Sequence, residues 1–138
     1  MLKDGQVAYG FDVELSGSFD AVRAQVVEAL KGQGFGVLTE IDVSATMKAK
    51  LGQDMPRYNI LGACNPTLAH KAISAEPDIG LLLPCNVVVS DVGAGTIKVS
   101  FMDPVAVLAL VNNASVTELG WQVRAKLEAV RDSLKPQS

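Results

Sequence analysis

Patterns typical of strands and of helices alternate along this chain, and this alternation limits its possible folds more than any other feature. In residues 7–15 every second side chain is apolar, as in a half-buried strand, the set being Val7, Tyr9, Phe11, Val13 and Leu15. Over residues 19–30 the apolar side chains instead recur at intervals of three and four, as on one face of a helix. Ser18 is a suitable N-cap for this helix, and glycines after residue 31 favour its end.

Two Asx–Pro pairs give the clearest helix starts. Asn65–Pro66 and Asp103–Pro104 each combine an N-cap residue with a proline at the first helical position, where its missing N–H costs nothing. These signals and the periodicity predict strands over 7–15, 35–41, 58–64, 79–90 and 96–101, and helices over 19–30, 43–51, 66–75, 105–111 and 116–134. Segment 79–90 is apolar nearly throughout, which predicts burial on both faces, and Pro84 predicts an edge, a bulge or a bend.

These elements predict an α+β fold in a single domain. Their order is β-α-β-α-β-α-β-β-α-α, which favours a mixed or antiparallel sheet of about five strands covered mainly on one face by helices. The 138 residues suit one domain over 1–138, and hydrophobic residues at 49% are enough to build its core over about residues 7–134. We expect flexibility only at 1–5 and 135–138.

Charge and hydropathy argue against several classes of partner. Twelve Lys+Arg against 15 Asp+Glu give a net charge of -3, which disfavours nonspecific nucleic-acid binding. The longest apolar run, over 104–111, is far shorter than the roughly 18 residues of a membrane helix. The first ten residues lack the apolar core of a signal peptide, and two cysteines cannot make a disulfide framework. We therefore expect a cytoplasmic protein with no nucleic-acid partner and no membrane.

The sequence contains none of the common nucleotide-binding or hydrolase motifs. Gly93-Ala94-Gly95 lacks a third glycine and joins two predicted strands, which excludes a dinucleotide fingerprint. There is no P-loop, no G-x-S-x-G and no H-E-x-x-H. The sequence therefore identifies no cofactor.

The candidate functional residues group around two Cys-Asn pairs, Cys64–Asn65 and Cys85–Asn86. The pairs lie close together if the strands that carry Cys64 and Cys85 are neighbours in the sheet. Cys64 directly precedes a helix N-terminus, whose partial positive charge favours the thiolate form. In this interpretation Cys64 is a thiolate or metal ligand, Asn65 the orienting cap and Cys85 a second sulfur ligand. The competing interpretation makes both cysteines small apolar residues of the core.

His70, the single histidine, is a further candidate on the helix that Asn65 begins. Together Cys64, Cys85, His70 and Glu76 could supply four metal ligands, although their spacing matches no compact zinc signature. The adjacent Lys71 favours a histidine at the surface, so a metal site rests on residue types alone.

An anion is the other ligand class that this helix start suggests. The turn at residues 65–67 could bind it through free N–H groups of the helix N-terminus, with charge from Lys48, Lys50 and Arg57. Capping by Asn65 explains the asparagine equally without any ligand. Both interpretations stay open from the sequence.

Three segments resemble the domain of unknown function 302 family. They are GFGVLTEIDVSATMKAKLG from Gly34, YNILGACNPTLAHKAI from Tyr58, and EPDIGLLLPCNVVV from Glu76. GACNP followed some twenty residues later by LLLPCNV is the most specific part, and the likeness extends from about Tyr9 to Leu134. The resemblance implies a compact α+β domain, often a homodimer, with no agreed biochemical activity.

Self-association is also suggested by the residues themselves. Trp121 lies off the apolar stripe of the last helix, and residues 105–111 are apolar on all sides, as at an interface. We therefore expect a homodimeric module that binds a small molecule, an anion or a metal, rather than an enzyme. The alternatives are a thiol-dependent enzyme or redox sensor that uses Cys64, and a purely structural or interaction protein.

Overall fold

A five-stranded antiparallel sheet organises residues 7–137, which are the residues that the computed structural model describes. The strands lie in the order β1-β5-β4-β3-β2. The elements are β1 (Gly10–Ser16), α1 (Phe19–Gly32), β2 (Gly36–Asp42), α2 (Val43–Leu51), β3 (Tyr58–Cys64), α3 (Pro66–Ala75), β4 (Cys85–Gly93), β5 (Thr96–Met102), α4 (Pro104–Leu108) and α5 (Ala114–Ser133). Two 3₁₀ turns, Pro77–Leu82 and Ala109–Val111, complete the chain. The predicted α+β class and element order are confirmed.

Side-chain caps fix the helix starts, as predicted. Ser18 Oγ accepts a hydrogen bond from the backbone N–H of Ala21 at the start of α1 (3.2 Å). Asp103 Oδ1 accepts from the N–H of Val105 at the start of α4 (2.9 Å), where Pro104 is the first helical residue. Each cap satisfies an N–H that would otherwise lack an intrahelical partner, so these local signals decide where the helices begin.

The predicted strand over 79–90 is wrong in its first half. Residues Pro77–Leu82 form a 3₁₀ turn, and β4 begins only at Cys85, directly after Pro84. Proline has no N–H to donate to a sheet ladder, so the extended pairing starts after it. Ile79 accounts for part of the apolar run, because it is buried in the core from the 3₁₀ turn, whereas Leu81 is exposed. Burial in β4 alternates, so the strand is not buried on both faces.

The core lies between one face of the sheet and the helices. Alternate side chains of the three central strands are fully buried there, namely Leu61, Val87, Val89, Val99 and Phe101. The apolar stripes of α1 and α5 pack against them through Val22, Val26, Leu127 and Val130. The other face carries half-buried side chains such as Tyr58, Val88 and Ser100, as expected of an antiparallel sheet.

A polar cluster joins α1 to the sheet at β2 and β3. Arg23 on α1 donates to Glu40 on β2, and Nδ2 of Asn59 on β3 donates to Glu40 Oε2 (2.7 Å). These hydrogen bonds, the Arg23 one first, lower the pKa of Glu40 below its ordinary value. The Oδ1 of Asn59 is buried without a partner among residues 7–137. The cluster therefore positions an edge strand against a helix, away from both cysteines.

The residues after α5 are hydrogen-bonded to α1 and β1. The flexibility expected for residues 1–5 lies outside the described residues, and flexibility of the C-terminal residues stays a prediction. The N–H of Lys135 donates to Gln25 Oε1 (2.8 Å), and the N–H of Gln137 donates to the carbonyl of Ser16 (2.7 Å). Among the helices within 7–137, none combines the length and apolar character that crossing a membrane requires.

Gly62 on β3 allows a close approach beside a bulge in β2. The β2–β3 register shifts between Val37 and Thr39, so Leu38 has no partner across the ladder. A Cβ on Gly62 would lie 2.2 Å from Thr39 Oγ1 and 2.9 Å from Pro84 Cγ. Only a residue without a side chain fits between them.

Replacing Gly62 with alanine should therefore destabilise the fold. We expect Gly62→Ala to lower the free energy of unfolding by about 1–3 kcal/mol, the usual range for overpacking. Gly36→Ala is the matched control, because nothing lies within 4 Å of a Cβ there. Urea unfolding of both variants measures the difference, and equal stabilities would contradict the close approach.

Candidate functional site

A cavity of about 320 Å³ lies at the end of the sheet where β3 finishes and β4 begins. We call it the sheet-end cavity. Its walls come from β2, β3, β4, α3, α4, α5 and the first 3₁₀ turn, and the lining residues are Phe35, Leu38, Thr39, Ala63, Cys64, Asn65, Leu68, Ala69, Ala72, Ile73, Gly80, Leu83, Pro84, Cys85, Leu108, Leu119 and Val123. The exposed Leu38 and Ile73 lie where the cavity opens to solvent.

The two cysteines share one wall of this cavity. Cys85, the first residue of β4, is the cross-strand partner of Ala63, and Cys64 follows Ala63 as the last residue of β3. Both thiols are free; Cys85 is only 6% exposed, and Cys64 is half-buried. The antiparallel pairing of β3 and β4 therefore brings the two Cys-Asn segments together at one end of the sheet.

Asn65 lines the cavity and also caps α3. Its Oδ1 accepts a hydrogen bond from the backbone N–H of Leu68 (3.2 Å), and Pro66 is the first helical residue. Its Nδ2 lies 3.0 Å from the position that a Cβ would take on Gly34, a residue with φ of +84°. The capping role predicted for Asn65 is thus confirmed, and the amide is packed against a glycine that the backbone requires.

Burial keeps the thiol of Cys85 protonated. Loss of solvation, followed by the effect of the nearby Cys64, raises the pKa of Cys85 to about 11. Desolvation acts in this direction because it disfavours the charged thiolate. Cys85 is therefore a neutral thiol at pH 7 and contributes a small, mainly apolar surface to the cavity.

The structure does not bring the other two candidate residues to the cavity. Asn86 follows Cys85 in an extended strand, so its side chain lies on the opposite face of the sheet, in a groove with Tyr58 and Val88. His70 is exposed and borders a shallow depression between α3 and α5 with Glu118. His70 follows Ala69, which lines the cavity. Successive side chains of a helix differ in direction by roughly 100°, so the side chain of His70 does not face the cavity.

The lining of the cavity carries no charged side chain. Two cations considered for an anion site are paired elsewhere, Lys48 with Asp54 (3.0 Å) and Arg57 with Asp20 (2.9 Å). No group of three or more His, Cys, Asp or Glu side chains suited to a metal occurs within residues 7–137. The lining thus offers an anion no cationic side chain.

Sequence reasoning did not identify the apolar walls of the cavity. Ala69 and Ala72 lie on the face of α3 that Leu68 also uses, and their small side chains leave space that larger ones would fill. Two alanines on an otherwise apolar helix face were the available signal. The signal is weak, because the space also depends on how far α5 and the 3₁₀ turn stand from α3.

Comparisons with known proteins agree on the family. The model of the family described as "Domain of unknown function DUF302" matches residues 11–134, which confirms the resemblance seen in the sequence. A crystal structure of an uncharacterized conserved protein DUF302 from Bacillus stearothermophilus is 28% identical and superposes with a TM-score of 0.83. The alignment covers 91% of this chain and 98% of that chain. No curated protein matches this chain.

The two thiols should differ strongly in alkylation by iodoacetamide. The raised pKa makes the thiolate of Cys85 about 100-fold scarcer at pH 8 than that of an ordinary cysteine, and burial slows access further. We expect peptide mass spectrometry to show Cys64 modified first in the native protein, and both cysteines modified at similar rates in guanidinium chloride. Cys64→Ser is the control, in which native alkylation should become slow. Equal native rates would contradict the burial of Cys85.

Proposed function

The chain belongs to the DUF302 family, whose description assigns no activity, and we propose from its geometry that it binds a small, uncharged and mainly apolar molecule in the sheet-end cavity. The observation that carries this proposal is the cavity itself, about 320 Å³ with walls that are almost entirely apolar. Binding pockets for small molecules typically combine such walls with a few polar groups. Here those groups are Thr39 and Asn65.

The volume of the cavity suits a ligand with more than one ring, or an aliphatic ligand of similar size. An apolar cavity of about 150 Å³ is large enough to bind benzene. Burying such a ligand removes its apolar surface from water, at roughly 25 cal/mol per Å² before the costs of association. The fold already provides the cavity, so little rearrangement is needed.

The same residues give less support to the other candidate functions. A thiol-dependent enzyme activates its cysteine through a base, a cation or a helix N-terminus, and Cys64 has only the last of these, at the start of α3. None of the residues that line the cavity is histidine, lysine or arginine. Two sulfur atoms alone do not complete a metal site, and within residues 7–137 no group of three or more His, Cys, Asp or Glu side chains is placed to hold a metal. A binding module therefore fits the geometry better than catalysis.

Filling the cavity should weaken binding without harming the fold. We expect Ala69→Leu to reduce the affinity for N-phenyl-1-naphthylamine, an apolar fluorescent probe, by about tenfold or more, the loss of roughly 1.4 kcal/mol of contact. Ala75→Leu is the matched control on the same helix, because Ala75 is exposed and outside the cavity. Fluorescence titration measures both affinities.

Thermal unfolding distinguishes a filled cavity from a damaged fold. Added apolar volume in an existing cavity typically stabilises, so the Tm of Ala69→Leu should stay the same or rise. Absence of probe binding by the unmodified protein, or equal binding by both variants, would overturn the proposal.

We further propose that the protein is a homodimer that associates through the open face of the sheet, and that it resides in the cytoplasm. A groove on that face is lined by Tyr9, Tyr58, Val88 and Met102. The face also carries both signs of charge, with Lys98 Nζ 3.5 Å from Asp12 Oδ2, which suits contact between two identical surfaces. The free thiols of both cysteines support a reducing compartment.

Light scattering tests this association. We expect a particle of about 29 kDa, twice the 14.5 kDa of one chain. Val88→Lys places a charge in the middle of the face and should give a monomer. Leu81→Lys is the control, since Leu81 is 88% exposed on the 3₁₀ turn and away from this face. A monomeric unmodified protein, or a dimeric Val88→Lys variant, would refute the interface.

A further inference from the structure

We infer that the ligand of the sheet-end cavity carries a neutral hydrogen-bond acceptor of the carbonyl type, which accepts from the Nδ2 group of Asn65. This inference rests on the proposed function and names the chemical class of its ligand. Asn65 thereby becomes a specificity-determining residue in addition to a helix cap.

Only half of the Asn65 amide is used by the fold. The oxygen accepts from the N–H of Leu68, whereas Nδ2 makes no hydrogen bond to any residue between 7 and 137. This nitrogen is not sealed from solvent, since the only fully buried side-chain atom without a partner in that range is Asn59 Oδ1. Asn65 lines the cavity, and its amide offers two N–H donors that no residue between 7 and 137 takes.

The orientation of this donor is fixed before a ligand binds. The capping bond to Leu68 determines which end of the amide is oxygen, because a flipped amide would set an N–H group against an N–H group. Gly34 leaves room for the other end, since a Cβ at this position would lie 3.0 Å from Nδ2. A donor held in this way loses little conformational entropy on binding, which favours affinity and selectivity.

The surroundings decide which acceptor fits. A carboxylate or phosphate would require a cation to offset its desolvation, and the lining has none. A neutral carbonyl loses less solvation free energy when it leaves water, and it regains a hydrogen bond from Asn65. The neutral thiol of Cys85 and the hydroxyl of Thr39 line the same cavity and add no charge.

Two probes that differ in one carbonyl test the inference. Tetralin and 1-tetralone share a two-ring skeleton, and only the ketone carries an acceptor. One hydrogen bond predicts that the unmodified protein binds 1-tetralone about 2- to 10-fold more tightly than tetralin. Competition against the fluorescent naphthylamine probe measures both dissociation constants.

Asn65→Gly removes the donor without adding a charge, and glycine is a tolerated N-cap residue. We expect this variant to lose the preference for the ketone. Asn113→Gly is the matched control, because Asn113 caps α5 through Oδ1 in the same way and lies outside the cavity. This control should keep the preference.

The possible outcomes separate the inference from the proposed function. If tetralin and 1-tetralone bind equally to the unmodified protein, the inference fails and the apolar binding function stands. If the naphthylamine probe does not bind to the unmodified protein, and direct titration shows no binding of tetralin or 1-tetralone, both the inference and the proposed function fail. If the ketone preference survives in a folded Asn65→Gly protein, another donor makes the contact and the assignment to Asn65 is wrong.

Discussion

The candidate site depends above all on the antiparallel pairing of β3 with β4. Its register places Cys85 opposite Ala63, and so it sets the end of one strand beside the start of the other. The first strand leads into Asn65 and α3, and the second follows Pro84 and the 3₁₀ turn. The cavity lies between the segment that follows β3 and the segment that precedes β4. A shift of this register by one residue would move Cys85 to the opposite face and remove a wall of the cavity.

The polar and apolar parts of the site have separate origins in the fold. Asn65 is present because α3 needs a cap, and Gly34 because the backbone turns there with a positive φ. The apolar walls come from helix faces that pack on the sheet, with alanines where α3 faces the cavity. The oriented amide donor therefore adds no separate cost to folding, since its oxygen already stabilises the helix. Cys85, a buried neutral thiol, extends the apolar wall rather than supplying charge.

The sequence predicted the parts of this structure that local physics determines. Strand 58–64 and helix 66–75 match the observed bounds, because alternation and the Asn65–Pro66 cap act within a few residues. The error at 79–90 arose because an apolar run does not distinguish a strand from a turn that buries Ile79. Of the candidate site residues, Cys64, Asn65 and Cys85 line the cavity, and their functional role stays a prediction. Alternation along β4 could have excluded Asn86, whereas the cavity volume depends on spacing between helices that no local pattern encodes.

The bulge at Leu38 has a consequence for how this molecule behaves at high concentration. β2 is an edge strand, and its outer backbone groups are open to pairing with a strand from another molecule. The unpaired residue at Leu38 interrupts the regular spacing of those groups, and the carboxylates of Glu40 and Asp42 follow it on the same strand. Both features make this edge a poorer template for pairing with a strand of another molecule. The bulge beside the mouth of the cavity therefore also opposes edge-to-edge aggregation.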